Sequence, residues 1–249
     1  MITFENVTKT FGTRTVLDHL NLTLPAGKVS VVLGKSGEGK SVTIKHIMGL
    51  LKPTEGRIIV DGEVITDFSP AQLVEYRKKF GMLFQHAALF DSLTVEENVM
   101  FPLREHLRAS EQAMRERARE CLTQVGLEGI EDKFPGELST GEKKRVGLAR
   151  ALAHKPKIVL YDEPTTGMDP LVSEMIDQLI VKVNKSQTEL TSIVISHDLK
   201  AALDTAEFAV MLYKGRVQLA GPPDDFRTTK DPIVRQFFAG RVDGPMEFL

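Results

Sequence analysis

The chain has 249 residues, 42% of them hydrophobic and 27% charged, and its formal net charge of −2 offers no broad basic field to a nucleic acid or an anionic lipid surface. A single cysteine, Cys121, excludes an intrachain disulfide, and no apolar run approaches the ~20 residues that span a bilayer. Residues 1–6 lack the basic start and apolar core of a signal peptide, so a soluble cytoplasmic protein is expected, touching a membrane only through a partner.

Residues 2–7 alternate, and Val16, Leu17, Leu20, Leu22 and Leu24 precede Pro25-Ala26-Gly27, which predicts two strands. Residues 28–33 then form a β-branched run of the kind buried in a parallel sheet. The next eight, Gly34-Lys35-Ser36-Gly37-Glu38-Gly39-Lys40-Ser41, fit the phosphate-loop pattern G-x-x-x-x-G-K-[ST] at every fixed position. Ile44, Ile47, Met48 and Leu50 follow at helical spacing, so strand, loop and helix come in the order the motif needs. A surface Gly/Ser/Lys loop that matches by chance would lack those flanks. The glycines let several amides face one phosphate cluster, and the helix adds its positive end. Lys40 is expected to reach the β and γ phosphates of ATP, and the Ser41 hydroxyl to bind Mg²⁺.

Residues 57–60 and 63–65 flank Asp61-Gly62, a type I′ hairpin signal, and predict a small antiparallel sheet. Ser69-Pro70-Ala71-Gln72 supplies an N-cap, a first-turn proline and a capping-box glutamine for a helix to Lys79, before a strand over 80–85. From about 86 to 155 the pattern is helical. Thr94-Val95-Glu96-Glu97 is a second capping box, and Ser110 caps a long helix that ends near Val125 at Gly126. Cys121 shares that helix's apolar face with Met114, Ala118, Leu122 and Val125, the setting of a buried, inert thiol. Strand patterns return at 157–161 and 191–195, then at 208–213 and 216–220 around Lys214-Gly215. The chain therefore reads as an α/β protein of the P-loop NTPase class: a RecA-like parallel core, a small antiparallel β-subdomain and a helical subdomain.

The strand ending at Tyr161 delivers Asp162 and Glu163 to its C-terminal edge, where ligands of open α/β sheets bind. Asp162 suits Mg²⁺, held through water, and Glu163 suits the water that attacks the γ-phosphorus. Gln85 ends the strand before the helical insertion, where its amide either touches Mg²⁺ or the attacking water, or is a surface residue. His197 follows the 191–195 strand, within reach of a γ-phosphate or in a structural role.

Leu138-Ser139-Thr140-Gly141-Glu142 then leads into a helix with an apolar face. With it, the phosphate loop, Gln85, Asp162-Glu163 and His197 stand in the order found in the ATP-binding cassette (ABC) ATPases, which the chain resembles over about residues 1–239. The resemblance implies that Ser139, Thr140, Gly141 and Glu142 face the γ-phosphate held by another subunit, that Asp169 links the two sites, and that Phe11 stacks on adenine. A plain core phenylalanine remains the other reading of Phe11. One phosphate loop and one signature helix, which do not meet within a subunit of such proteins, imply a two-fold homodimer closed by ATP. The chain departs from the family's usual residues at Thr140, Glu142 and Val42, and none of these removes a catalytic group.

Residues 81–90 with 97–106, and the tail around Arg235-Gln236-Phe237-Phe238 and Asp243-Gly244-Pro245, look like the ATPase of Mla-type phospholipid transporters. That resemblance implies a two-copy membrane permease, a lipid-binding MCE protein, a small STAS-type regulator and a place at the cytoplasmic face of the inner membrane. A non-transport ABC ATPase of the cell-division type, or an importer ATPase for another substrate, is the alternative; no nucleic acid partner is expected. Leu89, Phe90, Leu93, Val99, Met100, Phe101 and Leu103 hold more apolar surface than a short insertion buries, half of it suited to a permease coupling helix. The tail, 240–249, is too apolar to hang free and is expected to dock, in cis or across a dimer.

Overall fold

Alternation sets the first sheet. Ile2, Phe4 and Val7 of β1 (Ile2–Phe11) and Leu20, Leu22 and Leu24 of β2 (Arg14–Leu24) are buried, and the strands pair antiparallel with Ile2 opposite Leu24. β3 (Val29–Leu33), buried along its whole length, leads to α1 (Lys40–Ile47). β4 (Glu55–Val60) joins β1 and β5 (Glu63–Val64), completing a sheet of order β2-β1-β4-β5. Asp61 and Gly62 have φ of 50° and 87°, as a type I′ turn demands at both central positions. The computed structural model describes residues 1–106, 109–187 and 189–247, and the chain divides into two units. Met1–Phe68 and Ile195–Leu249 form the first, and Ser69–Val194 the second.

The second unit opens with α2 (Pro70–Arg77), whose reciprocal Ser69–Gln72 capping box is formed. β6 (Phe80–Leu83) is shorter than the sequence suggests, which puts Gln85 in the loop after the strand rather than at its end. α3 (Val95–His106), α4 (Glu111–Gln124) and α5 (Thr140–Leu152) make the helical part; α4 is capped by Ser110 as expected, and Cys121 is fully buried in it. β7 (Ile158–Asp162) runs parallel to β6, and β8 (Thr191–Ile195) lies on its other side. Between them lies α6 (Pro170–Ser186), a 17-residue helix that strand-and-turn reading passes over although Asp169-Pro170 is a cap followed by a first-turn proline.

The first unit resumes with α7 (Leu199–Thr205), β9 (Phe208–Tyr213) and β10 (Arg216–Gly221). β9 is parallel to β3 and antiparallel to β10, through a turn in which Lys214 and Gly215 both have positive φ. α8 (Pro223–Thr228) and α9 (Pro232–Ala239) follow, and Gly240, in the left-handed region, ends α9. The tail then docks on its own chain. Buried Gln236 donates to the carbonyls of Arg241 and Val242 and accepts from the Met246 amide at 2.7 Å, and Met246 is 3% exposed. Phe248 and Leu249, which the sequence reading counted in this docking, lie outside the described residues.

Candidate nucleotide and hydrolysis residues

The phosphate loop runs from Gly34, just past β3, into the first turn of α1. Gly34 has φ of 147°, and a Cβ there would stand 2.6 Å from the Leu212 carbonyl oxygen; only glycine lets the loop lie this close to β9. Lys40 is buried, and its ammonium donates to the Gly34 and Lys35 carbonyls at 2.7 and 2.9 Å, so it already lies along the loop that a phosphate would enter. Ser36, Gly37 and Ser41 are exposed. The side chains of Lys35 and Glu38 point elsewhere: Lys35 donates to the Glu247 carbonyl at 2.7 Å, and the Glu38 carboxylate accepts from the Lys214 amide.

Phe11 is 46% exposed with the Lys9 ammonium 5.0 Å from its ring centre, which rules out the core reading and leaves a face for stacking. His197 is exposed just beyond β8, and the Ser196 amide before it donates to the Val32 carbonyl. That bond sets His197 beside the strand that feeds the phosphate loop.

In the second unit, β7 ends at Asp162, and Glu163 follows in the left-handed region at φ 48°. The Glu163 carboxylate accepts from the Gln85 amide at 3.2 Å and from the Thr166 hydroxyl at 3.0 Å. Lys144 of α5, only 2% exposed, donates to the carbonyls of Phe84 and Glu163, both at 3.4 Å. Burial pushes its ammonium down to about 8, and the nearby Asp162 and Glu163 charges oppose that fall. Arg150 of the same helix donates to the Ala87 and Ala88 carbonyls at 2.6 and 2.7 Å; both alanines have positive φ. Two buried cations of α5 thus grip the loop that carries Gln85. Sequence reasoning missed both.

Ser139, Thr140, Gly141, Glu142 and Asp169 line one cavity of about 340 Å³, together with Arg145 and residues of α6. Ser139 caps α5, and Glu142 turns back on it, accepting from the Ser139 amide and hydroxyl at 2.8 and 2.7 Å. Those bonds hold the Glu142 carboxyl below the usual carboxylate range and spend its charge at the helix start. Asp169 caps α6, accepting from the amides of Leu171 and Val172.

A separate groove of about 450 Å³ is lined by Phe80, Met82, Phe84, Phe90, Phe101 and Pro102, among others. Phe84, Phe90 and Phe101 are each about 40% exposed (42%, 43% and 39%), and the rings of the last two pack with centres 4.6 Å apart. Val99, Met100 and Leu103 are core. Of the seven apolar residues singled out, Val99, Met100 and Leu103 are thus core, Phe90 and Phe101 line the groove, and Leu89 and Leu93 are half-buried outside both.

The ABC transporter family profile matches residues 17–166, and the chain belongs to that family: it is a transport-coupled ATPase that binds and hydrolyses ATP. It is 44% identical over 245 residues to a Mycobacterium tuberculosis protein named "Probable ribonucleotide transport ATP-binding protein mkl", covering 98% of this chain and 68% of the relative. It is 40% identical to the Haemophilus influenzae "Intermembrane phospholipid transport system ATP-binding protein MlaF", covering 100% of this chain and 94% of the relative. Among solved structures, the dimeric ATP-binding cassette MJ0796 bound to ADP and Pi superposes with a TM-score of 0.81 at 35% identity, over 90% of this chain and 99% of that one. The cbiO1 protein of Clostridium perfringens, part of the ABC transporter complex cbiONQ, reaches a TM-score of 0.85 at 30% identity, over 95% and 94%. The expected fold class is thereby borne out. No helix among the described residues is long and apolar enough to cross a membrane.

Proposed function

We propose that the chain is the ATP-hydrolysing subunit of a phospholipid transporter, working as a homodimer beneath a two-copy membrane permease at the cytoplasmic face of the inner membrane. An MCE-type lipid-binding protein and a STAS-type regulator complete the assembly. The observation that carries this reading is likeness to the MlaF protein end to end, 100% of one chain and 94% of the other. The mycobacterial relatives share slightly more identity, 44%, over 68% of their own length, and they carry ribonucleotide transport as the second reading. The exposed Phe84, Phe90 and Phe101 groove supports a permease contact: it is apolar, concave and borders the loop that carries Gln85.

Within the reaction, Glu163 orients the attacking water and takes its proton, and His197 and Lys40 meet the γ-phosphate. Phe11 stacks on adenine. Ser139, Thr140, Gly141, Glu142 and Asp169 face the nucleotide held by the second copy, a role that suits their shared cavity. Ser41, Gln85 and Asp162 offer a hydroxyl, an amide oxygen and a carboxylate, an all-oxygen set suited to Mg²⁺. Among the described residues no three His, Cys, Asp or Glu side chains gather into a metal site, so nucleotide and water would supply the remaining ligands. Bound there, Mg²⁺ would neutralise phosphate charge.

Phosphate release by wild type beside Glu163→Gln, with sizing of the variant in ATP, tests the ATPase assignment. Turnover by wild type and an inactive variant that dimerises with ATP is the expected result; wild-type rates from Glu163→Gln would remove Glu163 as the base. Purification of the complex from membranes, with mass spectrometry of bound lipid, tests the cargo. A permease carrying ribonucleotide and no phospholipid would favour the second reading.

A further inference from the structure

The loop after β6 and the residue after β7 carry the two groups closest to the chemistry, Gln85 and Glu163, and neither group sits in a regular element. Gln85 lies two residues past the end of β6, and Glu163 is one residue past β7 in a left-handed conformation that a non-glycine residue holds only when its surroundings impose it. The side chains touch, amide to carboxylate, at 3.2 Å. Their mutual placement therefore depends on whatever fixes the backbone beside each.

One side chain reaches both backbones. Lys144 donates to the carbonyl of Phe84, the residue before Gln85, and to the carbonyl of Glu163 itself. It is 2% exposed, so its ammonium is held by these carbonyls in place of bulk water. A desolvated ammonium is costly to bury and is retained only where carbonyl dipoles and nearby negative charge surround it, as they do here. Lys144 also stands one helical turn after Gly141, on the helix whose first residues line the signature cavity. A displacement of that end of α5 is thus delivered to both backbones through one ammonium.

We propose that Lys144 is a positioning residue for ATP hydrolysis: from the signature helix it holds the backbones of Phe84 and Glu163 so that the Gln85 amide and the Glu163 carboxylate stay in register. It acts on the transition-state geometry and touches no substrate. The inference rests on the assignment of Glu163 and Gln85 made above, and Glu163→Gln tests that assignment separately.

The experiment is steady-state ATP turnover by the full chain carrying Lys144→Met, Lys144→Arg, Gln85→Ala and the Lys144→Met/Gln85→Ala pair. Small misplacements of reacting groups cost on the order of ten- to a hundredfold, so Lys144→Met lowers kcat by at least about tenfold while KM for ATP stays within about twofold. Lys144→Arg, which keeps a cation able to donate to two carbonyls at once, recovers most of the loss. Because Lys144 acts through the Gln85–Glu163 pair, the double variant is no slower than the slower single one. A kcat for Lys144→Met within about twofold of wild type, while Glu163→Gln is inactive, overturns the inference and leaves the base assignment standing; so do losses that multiply in the double variant. Should Lys144→Met fail to fold, Lys144→Gln, which keeps a donor but is too short to span both carbonyls, takes its place with the same expected split.

Discussion

Asn98 offers the sharpest stability test of the groove. It is fully buried in α3, its Oδ1 accepts from the Phe90 amide at 2.8 Å, and its Nδ2 donates to the carbonyls of Phe90, Leu93 and Thr94 at 3.1, 3.1 and 2.9 Å. One side-chain amide thus closes the loop that presents Phe90. Asn98→Ala leaves one amide and three carbonyls without that partner. At about 1–3 kcal/mol for a stranded buried donor, less what water recovers at the half-exposed loop, the loss comes to about 2–4 kcal/mol. Asn98→Asp keeps the shape but points a carboxylate at three carbonyl oxygens, so it should cost more than alanine does. Urea unfolding followed by far-UV circular dichroism is the assay, since the chain has no tryptophan. An aspartate variant as stable as the alanine one, or an alanine variant within about 0.5 kcal/mol of wild type, would refute the account of the loop.

Other expected outcomes are as specific. Arg150→Met removes two charge-assisted bonds from the Ala87 and Ala88 carbonyls and should cost about 3 kcal/mol in the same unfolding assay, with Arg150→Lys recovering part of it. Burial raises the Cys121 thiol from an ordinary 9.0 to about 11, so a disulfide reagent at pH 8 should find no thiol in the folded chain and one in denaturant. The sign of the linkage follows: stability from the buried neutral thiol is full below pH 9.0 and is lost as pH rises towards about 11, a fall that Cys121→Ala should reduce. Gly244→Ala would put a Cβ 2.2 Å from the Gln236 amide oxygen at a backbone φ of 153°, so the tail should unlatch and trypsin should cut after Arg241 faster than in wild type. An unchanged cleavage rate would show that the tail does not depend on that latch.

What was legible in the sequence was local. The phosphate loop, the capping box at Ser69, the N-cap at Ser110 and both positive-φ hairpin turns are written in neighbouring residues, and each appears where those residues place it. The length of β6 was not legible, because Phe84 extends the apolar run Met82-Leu83, and the Phe84, Ala87 and Ala88 carbonyls are taken by Lys144 and Arg150, residues 60 or more positions away. Those two cations were hidden for the opposite reason. In Lys143-Lys144-Arg145 a run of charge looks like a solvated face, and burial of its middle member follows from partners 60 and 19 residues away. A signal was present: Lys144 falls four and eight residues before Leu148 and Leu152, on the apolar stripe of α5.

Glu142 shows how a residue that departs from a family's habit is judged by its partners. Taken alone, a carboxylate at the mouth of a phosphate-facing helix would repel the ligand. In the fold the carboxylate closes a capping box on Ser139, accepting from its amide and its hydroxyl. The negative charge then sits against the positive end of α5 and supports the first turn of that helix. The same contact engages the Ser139 hydroxyl, so in the dimer proposed above ATP held by the second copy would have to compete with Glu142 for that donor. On the proposed function, the departure would bear on how readily the dimer closes and would leave Glu163, the proposed base, untouched.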